Sequence, residues 1–91
     1  MRKVTEQVVR AFLQGKKKTV DNTSTDGEAI YLHGNEIARR TEGGELEISN
    51  AGWFSVTTKE RLNGLPGVSI SQKNYEWFLN GLPWDGSWTK V

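Results

Sequence analysis

The chain of 91 residues contains no cysteine. Disulfides and thiolate metal sites are therefore excluded, and the composition fits a reducing compartment. Histidine occurs once, as His33, so any mechanism that needs two imidazoles is excluded too. No apolar run approaches the roughly 20 residues of a membrane span. Met1 to Gly15 lacks the apolar stretch of a signal peptide. Neither sign of charge dominates, with 12 basic and 11 acidic side chains and a net charge of +1. A DNA mimic needs strong acidity and a dedicated nucleic-acid binder a strong basic excess. Apolar residues make up only 35%, so the single domain that this length allows has a modest core.

Catalytic patterns are missing as well. Asp26, Glu42, Glu45, Glu47 and Asp85 are scattered over turns. No pair is placed for two-carboxylate hydrolysis or for a hard cation. The serines and threonines lack a base, and no nucleophile elbow occurs. Glycines fall at turns, where their conformational freedom already explains them. The expectation is a non-enzymatic protein with no metal and no cofactor.

What is present concentrates in Asn50 to Asp85, which holds Trp53, Trp77, Trp84, Phe54, Phe78 and both prolines. Thr57 and Glu60 stand at capping-box spacing and predict a short helix. Gly64 in the left-handed conformation would end it, and Pro66 would prevent its resumption. So short a helix must dock, through Leu62 and Leu65. Val68 and Ile70 then alternate with serines. Lys73-Asn74 predicts a turn, Glu76 to Leu79 a return strand, and Asn80-Gly81 a type I′ hairpin. The implied register puts Ile70, Trp77 and Trp84 in one cross-strand row, and Val68, Leu79 and Leu82 in the next, all on one face.

In the first half, Thr5 caps a helix to about Gln14 with Val8, Val9, Phe12 and Leu13 as its apolar stripe, and Gly15 terminates it. Lys16, Lys17 and Lys18 follow, either as a solvated helix end or as a phosphate patch. Asp21 to Gly27 reads as a loop. Glu28 to His33, Glu36 to Thr41 and Glu45 to Ser49 read as a meander turning at Gly34-Asn35 and Gly43-Gly44. That register places Arg39 among Ile30, Leu32, Ile37, Leu46 and Ile48. The other face then carries Tyr31, His33, Glu36, Ala38, Arg40 and Glu47, with His33 opposite Glu36 and Arg40 opposite Glu47. For Arg39 two accounts stand: a side chain that escapes to the rim or sits beyond a bulge, or a guanidinium held for an anion or a partner carboxylate.

The aromatics exceed what such a core can cover. Trp77, Trp84 and one of Trp53 or Phe54 are expected inside. Phe78 is expected on the opposite face and Trp88 in a tail from about residue 86. Either the first helix covers Phe78, or exposed rings serve an interface or a base-stacking platform. The candidate binding residues are Arg39, Arg40, Tyr31, His33, Phe78 and Trp88.

The runs NAGW, TTKERLNGLPGV and WFLNGLPWDG, read over most of the chain, resemble small accessory proteins of tailed bacteriophages. The resemblance brings no catalytic residue with it. It implies a viral protein in the cytoplasm of a bacterial host, of a kind that commonly blocks host enzymes or defence systems by stoichiometric binding. The resulting expectation is an α+β domain of order α-β-β-β-α-β-β-β, its helices on antiparallel meanders. It would bind a host protein as an anti-defence (anti-CRISPR-like or other) or takeover inhibitor. The alternative is a nucleotide or nucleic-acid module using Arg39, Arg40, Lys16 to Lys18 and exposed rings, including a sponge for a signalling nucleotide. No membrane partner is expected, and homo-oligomerisation stays open.

Overall fold

The computed structural model describes residues 2–91. The expected α+β class holds. Helix α1 (Lys3–Leu13) leads into β1 (Lys18–Val20), β2 (Thr23–Thr25), β3 (Ala29–Leu32), β4 (Asn35–Arg40) and β5 (Leu46–Ile48). Helix α2 (Val56–Leu62) precedes β6 (Ile70–Lys73), β7 (Glu76–Leu79), β8 (Leu82–Pro83) and β9 (Thr89–Lys90). The strands form two antiparallel sheets, with orders β1-β2-β3-β4-β5-β9 and β6-β7-β8. Residues 87–91 are thus not merely a tail, because β9 closes the edge of the larger sheet beside β5.

Helix α1 starts three residues earlier than the sequence suggests. Arg2 is its N-cap, without a side-chain cap bond, and Thr5 lies fully buried inside the first turns. Its end is as expected. Gly15 takes φ +70, the Lys16 amide donates to the Ala11 carbonyl and the Gly15 amide to that of Phe12. Those paired bonds are the Schellman closure that satisfies the last carbonyls of a helix. Val8, Val9, Ala11 and Phe12 are buried, whereas Leu13 projects to solvent instead of joining the stripe. The helix lies on β1, β2 and β3.

The expected loop at Asp21 to Gly27 is instead the hairpin β1–β2, turning at Asp21 with φ +56. Its strands carry threonines and a serine in place of an apolar alternation, and two of them, Thr23 and Thr25, are buried. Thr25 makes that burial tolerable by donating to the Ala29 carbonyl at 2.6 Å and accepting from the Gly27 amide at 3.0 Å.

Two turn corrections and a bulge decide which side chains face the core. The β3–β4 turn is His33-Gly34, with φ +52 and +81, so Leu32 pairs Asn35 and Tyr31, not His33, pairs Glu36. A bulge follows. Ile30 pairs Ala38, leaving Ile37 as an extra residue, and Ile37 and Ala38 are both buried. The β4–β5 connection holds three residues, Glu42 to Gly44, between a Thr41–Glu45 bonded pair, with Gly44 at φ +81. Together these place Arg39 opposite Glu47 on the open face and Arg40 inward, the reverse of the sequence expectation.

Helix α2 is capped by Ser55, not Thr57. The Ser55 hydroxyl accepts from the Thr58 amide at 3.1 Å. It ends at Asn63 in a right-handed conformation, and the left-handed glycine of this region is Gly67 rather than Gly64. The Asn63 carboxamide then pairs both backbone groups of Ile70, at 2.6 and 3.1 Å, taking the place of a neighbouring strand at the β6 edge. Leu62 and Leu65 are buried as expected. Leu62→Ala should cost about 2–5 kcal/mol, measurable as a shift in urea midpoint at unchanged slope.

In the second sheet the Asn80-Gly81 turn falls where expected, with φ +51 and +87. The other turn is Asn74-Tyr75, one residue later than predicted, so Ile70 pairs Leu79 and Gln72 pairs Trp77. Moving the turn by one residue slips the pairing by two, which preserves the faces. Trp77 and Trp84 are accordingly both buried, with ring centroids 6.2 Å apart. Leu82 leaves the predicted row for solvent.

Candidate functional site

The predicted binding residues do not form one site. Tyr31, Arg39 and Trp88 share the open face of the six-stranded sheet, through the Tyr31–Glu36 and Arg39–Glu47 pairs and the stacking of Trp88. The Arg39 guanidinium lies 3.8 Å from the Trp88 ring centre, bonds Glu47 at 2.9 Å and stands 3.9 Å from Glu36. Of the two accounts of Arg39, the bulge and the altered turns explain its position. Its charge is already matched by two carboxylates of its own sheet, and its side chain is 40% exposed. The Tyr31 phenol reaches Asp26 at 3.3 Å. Partial desolvation, then the charges of Asp26 and Glu36, raise its pKa. Asp26 is held below the usual carboxylate range chiefly by the amides of Glu28 and Ala29, whose turn it closes.

Arg40 is half-buried, and its guanidinium is engaged within the fold. Its guanidinium donates to the Gly27 and Phe12 carbonyls at 2.8 and 2.9 Å and lies over the Phe12 ring at 4.6 Å. It closes the end of α1 and fastens it to the β2–β3 turn. Phe78 is half-buried on the smaller sheet, opposite Ser71 and Pro83. His33 is exposed at the tip of the β3–β4 hairpin. Lys16, Lys17 and Lys18 line a depression with Gln7, Arg10 and Gln14 beside α1, apart from the aromatic grooves described next.

The surface that stands out was not among the predicted residues. Trp53, Phe54, Val56 and Tyr75 are 61, 58, 70 and 97% exposed. Neither Trp53 nor Phe54 is core, contrary to expectation. The segment from 53 to 56 forms a ridge between two depressions. One, of about 540 Å³, has Leu32 and Ile37 at its floor and is flanked by Trp53 and the β3–β4 hairpin tip. The other, of about 620 Å³, is flanked by Phe54, Tyr75, Trp77 and Trp84. Phe54 meets Trp77 edge-to-face, with centroids 5.0 Å apart, and Lys59 lies 5.7 Å from the Trp77 ring. Trp77 is buried, yet its indole N–H has no partner among the described residues, an arrangement that ordinarily costs about 1–3 kcal/mol. The sequence held a signal for this ridge. Trp53 and Phe54 lie between a left-handed Ala51-Gly52 turn and the Ser55 cap of α2, whose first residue is Val56. That two-residue stretch has no strand to pair with and is too short to fold inward. Tyr75, the second residue of a tight hairpin turn, has nowhere to go but solvent.

Residues 1–90 match the family described as Kyanoviridae Gp96 protein. The chain belongs to that family. Its bacteriophage origin, implied by the resemblance of the NAGW and WFLNGLPWDG runs to phage accessory proteins, is thereby established for the Kyanoviridae Gp96 family as a whole. No curated protein and no solved structure matches the chain. Among the described residues of this Gp96-family member, no three His, Asp or Glu side chains cluster as a metal site, and no helix is long and apolar enough to cross a membrane.

Proposed function

We propose that the chain is a non-enzymatic binding module with which the phage occludes a host protein in the bacterial cytoplasm, in the service of anti-defence or host takeover. The observation that carries this reading is the ridge of Trp53, Phe54 and Val56 with Tyr75 beside it, four large apolar side chains left mostly in water. Tryptophan and tyrosine dominate the residues whose truncation costs most at protein interfaces. A base-stacking strand binder would need cations along the same groove. Here, among the described residues, the lysine run lies by α1 with Arg10, no lysine or arginine lines the Trp53 depression, and Lys59, beside the Trp77 ring of the other, is bonded to the Gln72 side chain. The charge balance of +1 points the same way.

The double variant Phe54→Ala/Tyr75→Ala should fold, because both rings are largely exposed, and thermal melts establish that. Expression in host cells, with affinity capture, should show one stoichiometric host protein held by the wild type and by Lys17→Ala. The double variant should hold it about 30-fold or more weakly, as loss of at least one interface anchor would require. Its affinity should change little between low and moderate salt, unlike counterion-driven binding. Equal capture by wild type and double variant, or binding that collapses with salt, would refute the ridge as the contact surface.

A further inference from the structure

The depression on the Trp53 side of the ridge has features that a flat protein interface does not require. Its volume of about 540 Å³ falls within the few hundred to about 1,000 Å³ of small-molecule sites. Its floor is apolar, from the buried Leu32 and Ile37, and the Trp53 indole forms a wall open to solvent. At its rim the Asn35 carboxamide and the Thr57 hydroxyl are free, with no hydrogen bond to another described residue. His33 makes only a 3.5 Å contact to Asn22. His33, at φ +52 in the hairpin turn, is exposed and lines the groove.

We propose that this groove binds the adenine base of a nucleoside, stacked on Trp53 with the Asn35 carboxamide at the N6/N7 edge. The two requirements are separate and both are met here. An exposed indole offers a face on which any base can stack. A carboxamide offers an acceptor and a donor side by side, and the adenine N6 amino group and N7 are the complementary donor and acceptor. An aromatic side chain from a protein partner would fill the same floor but leave the carboxamide unmatched. Among the described residues no lysine or arginine lines the groove, so phosphate contributes nothing. The recognised part is the base, whether it arrives as a free nucleoside, a nucleotide or a strand end. This inference shares Trp53 with the host-protein reading but turns on Asn35, which lies off the ridge. Phe54 and Tyr75 line the other depression, and their substitution leaves this groove intact.

The test is a titration of the full chain with adenosine, AMP, inosine, 7-deazaadenosine and a short oligoadenylate, followed by tryptophan fluorescence and the indole N–H resonances. Adenosine and AMP should bind alike, independent of salt, with the Trp53 indole resonance perturbed. Inosine, which replaces the N6 donor by an acceptor, and 7-deazaadenosine, which lacks N7, should bind about tenfold more weakly. Asn35→Ala should bring adenosine to the inosine level. Trp53→Ala should weaken all of them about tenfold, and Tyr75→Ala should change nothing. Asn35, Trp53 and Tyr75 are exposed, so the fold survives each substitution. The proposal is overturned by absence of a saturable response to adenosine at millimolar concentration, by equal binding of inosine, or by full affinity in Asn35→Ala. Oligoadenylate binding that is much tighter and steeply salt-dependent would equally overturn it, since phosphate contacts would then carry the affinity.

Discussion

Arg61→Ala is expected to lower the free energy of unfolding by about 3–5 kcal/mol, the range for breaking a buried ion pair by removing one partner. Arg61 is only 4% exposed although it sits in the last turn of α2. Its Nε donates to the Thr23 hydroxyl at 2.8 Å. Its Nη1 donates to the Thr5 hydroxyl at 2.9 Å and to Glu60 at 3.2 Å, and Nη2 reaches Asn22 at 3.3 Å. The Thr5 hydroxyl in turn donates to Glu60. One guanidinium thus joins α1, α2 and the β1–β2 hairpin, whose own strands supply few apolar contacts. Truncation leaves the buried Thr23 hydroxyl without this donor and a charged Glu60 without its partner. Glu60 keeps some hydration at 21% exposure, which favours the lower half of the range. Arg61→Lys should recover little, because an ammonium cannot span four acceptors with the planar fork of a guanidinium. The decisive comparison is Arg61→Met with Glu60→Gln, which removes both charges and keeps volume. It should lie closer to wild type than Arg61→Ala does. For a domain of this size each kcal/mol moves the melting temperature by about 4–8 °C, so calorimetry resolves the series. A loss under about 1 kcal/mol for Arg61→Ala would mean that the network contributes no net stability.

Arg61 also shows where the sequence stops being legible. Its neighbours in the chain gave the helix, and Leu62 and Leu65 gave the docked face. Nothing local marks a terminal-turn arginine as buried, because its acceptors lie in Thr5, Asn22 and Thr23, far away in sequence. The β1–β2 hairpin was missed for a related reason. Strand signals rest on alternating apolar residues, and here the buried positions are threonines satisfied by hydrogen bonds. The Asn80-Gly81 turn and the Gly15 helix end were legible because backbone geometry itself demands those residue types. The Arg39 and Arg40 faces were inverted by small turn errors. One residue more in the β4–β5 loop, with one bulge in β4, is enough to exchange the inner and outer faces of a strand, since side chains alternate with a period of two. The exposed ridge was blurred by its composition, because one of Trp53 or Phe54 read as core. Only the exhausted interior, already filled by Trp77, Trp84 and Phe12, leaves them outside.

Gly86→Ala is expected to destabilise by about 2–5 kcal/mol, summing left-handed strain and overpacking. Gly86 stands at φ +88, and a Cβ built there would lie 2.2–2.3 Å from the side-chain amide of Asn50. That amide cannot swing away freely. Asn50 is buried, its Oδ1 accepts from the Gly52 amide at 2.8 Å, and its own backbone amide donates to the Gly86 carbonyl at 3.0 Å. The Ser49 hydroxyl donates to the same carbonyl at 2.9 Å. The contact fastens the loop after β5 to the loop that delivers β9, so a shift here would loosen the sheet edge and the base of the Trp53–Phe54 ridge together. Asn50→Ala alone removes the Gly52 bond but opens space beside Gly86. The clash component should therefore be relieved in Asn50→Ala/Gly86→Ala, leaving that pair less destabilised than the sum of its single variants by about 1–3 kcal/mol of coupling. The residual cost is the φ strain, which Gly86→Asn should partly escape because asparagine tolerates the left-handed region, although its Cβ meets Asn50 just as that of alanine does. Urea denaturation of the four-member cycle measures the coupling. Additivity within about 0.5 kcal/mol would show that Asn50 and Gly86 do not meet as described.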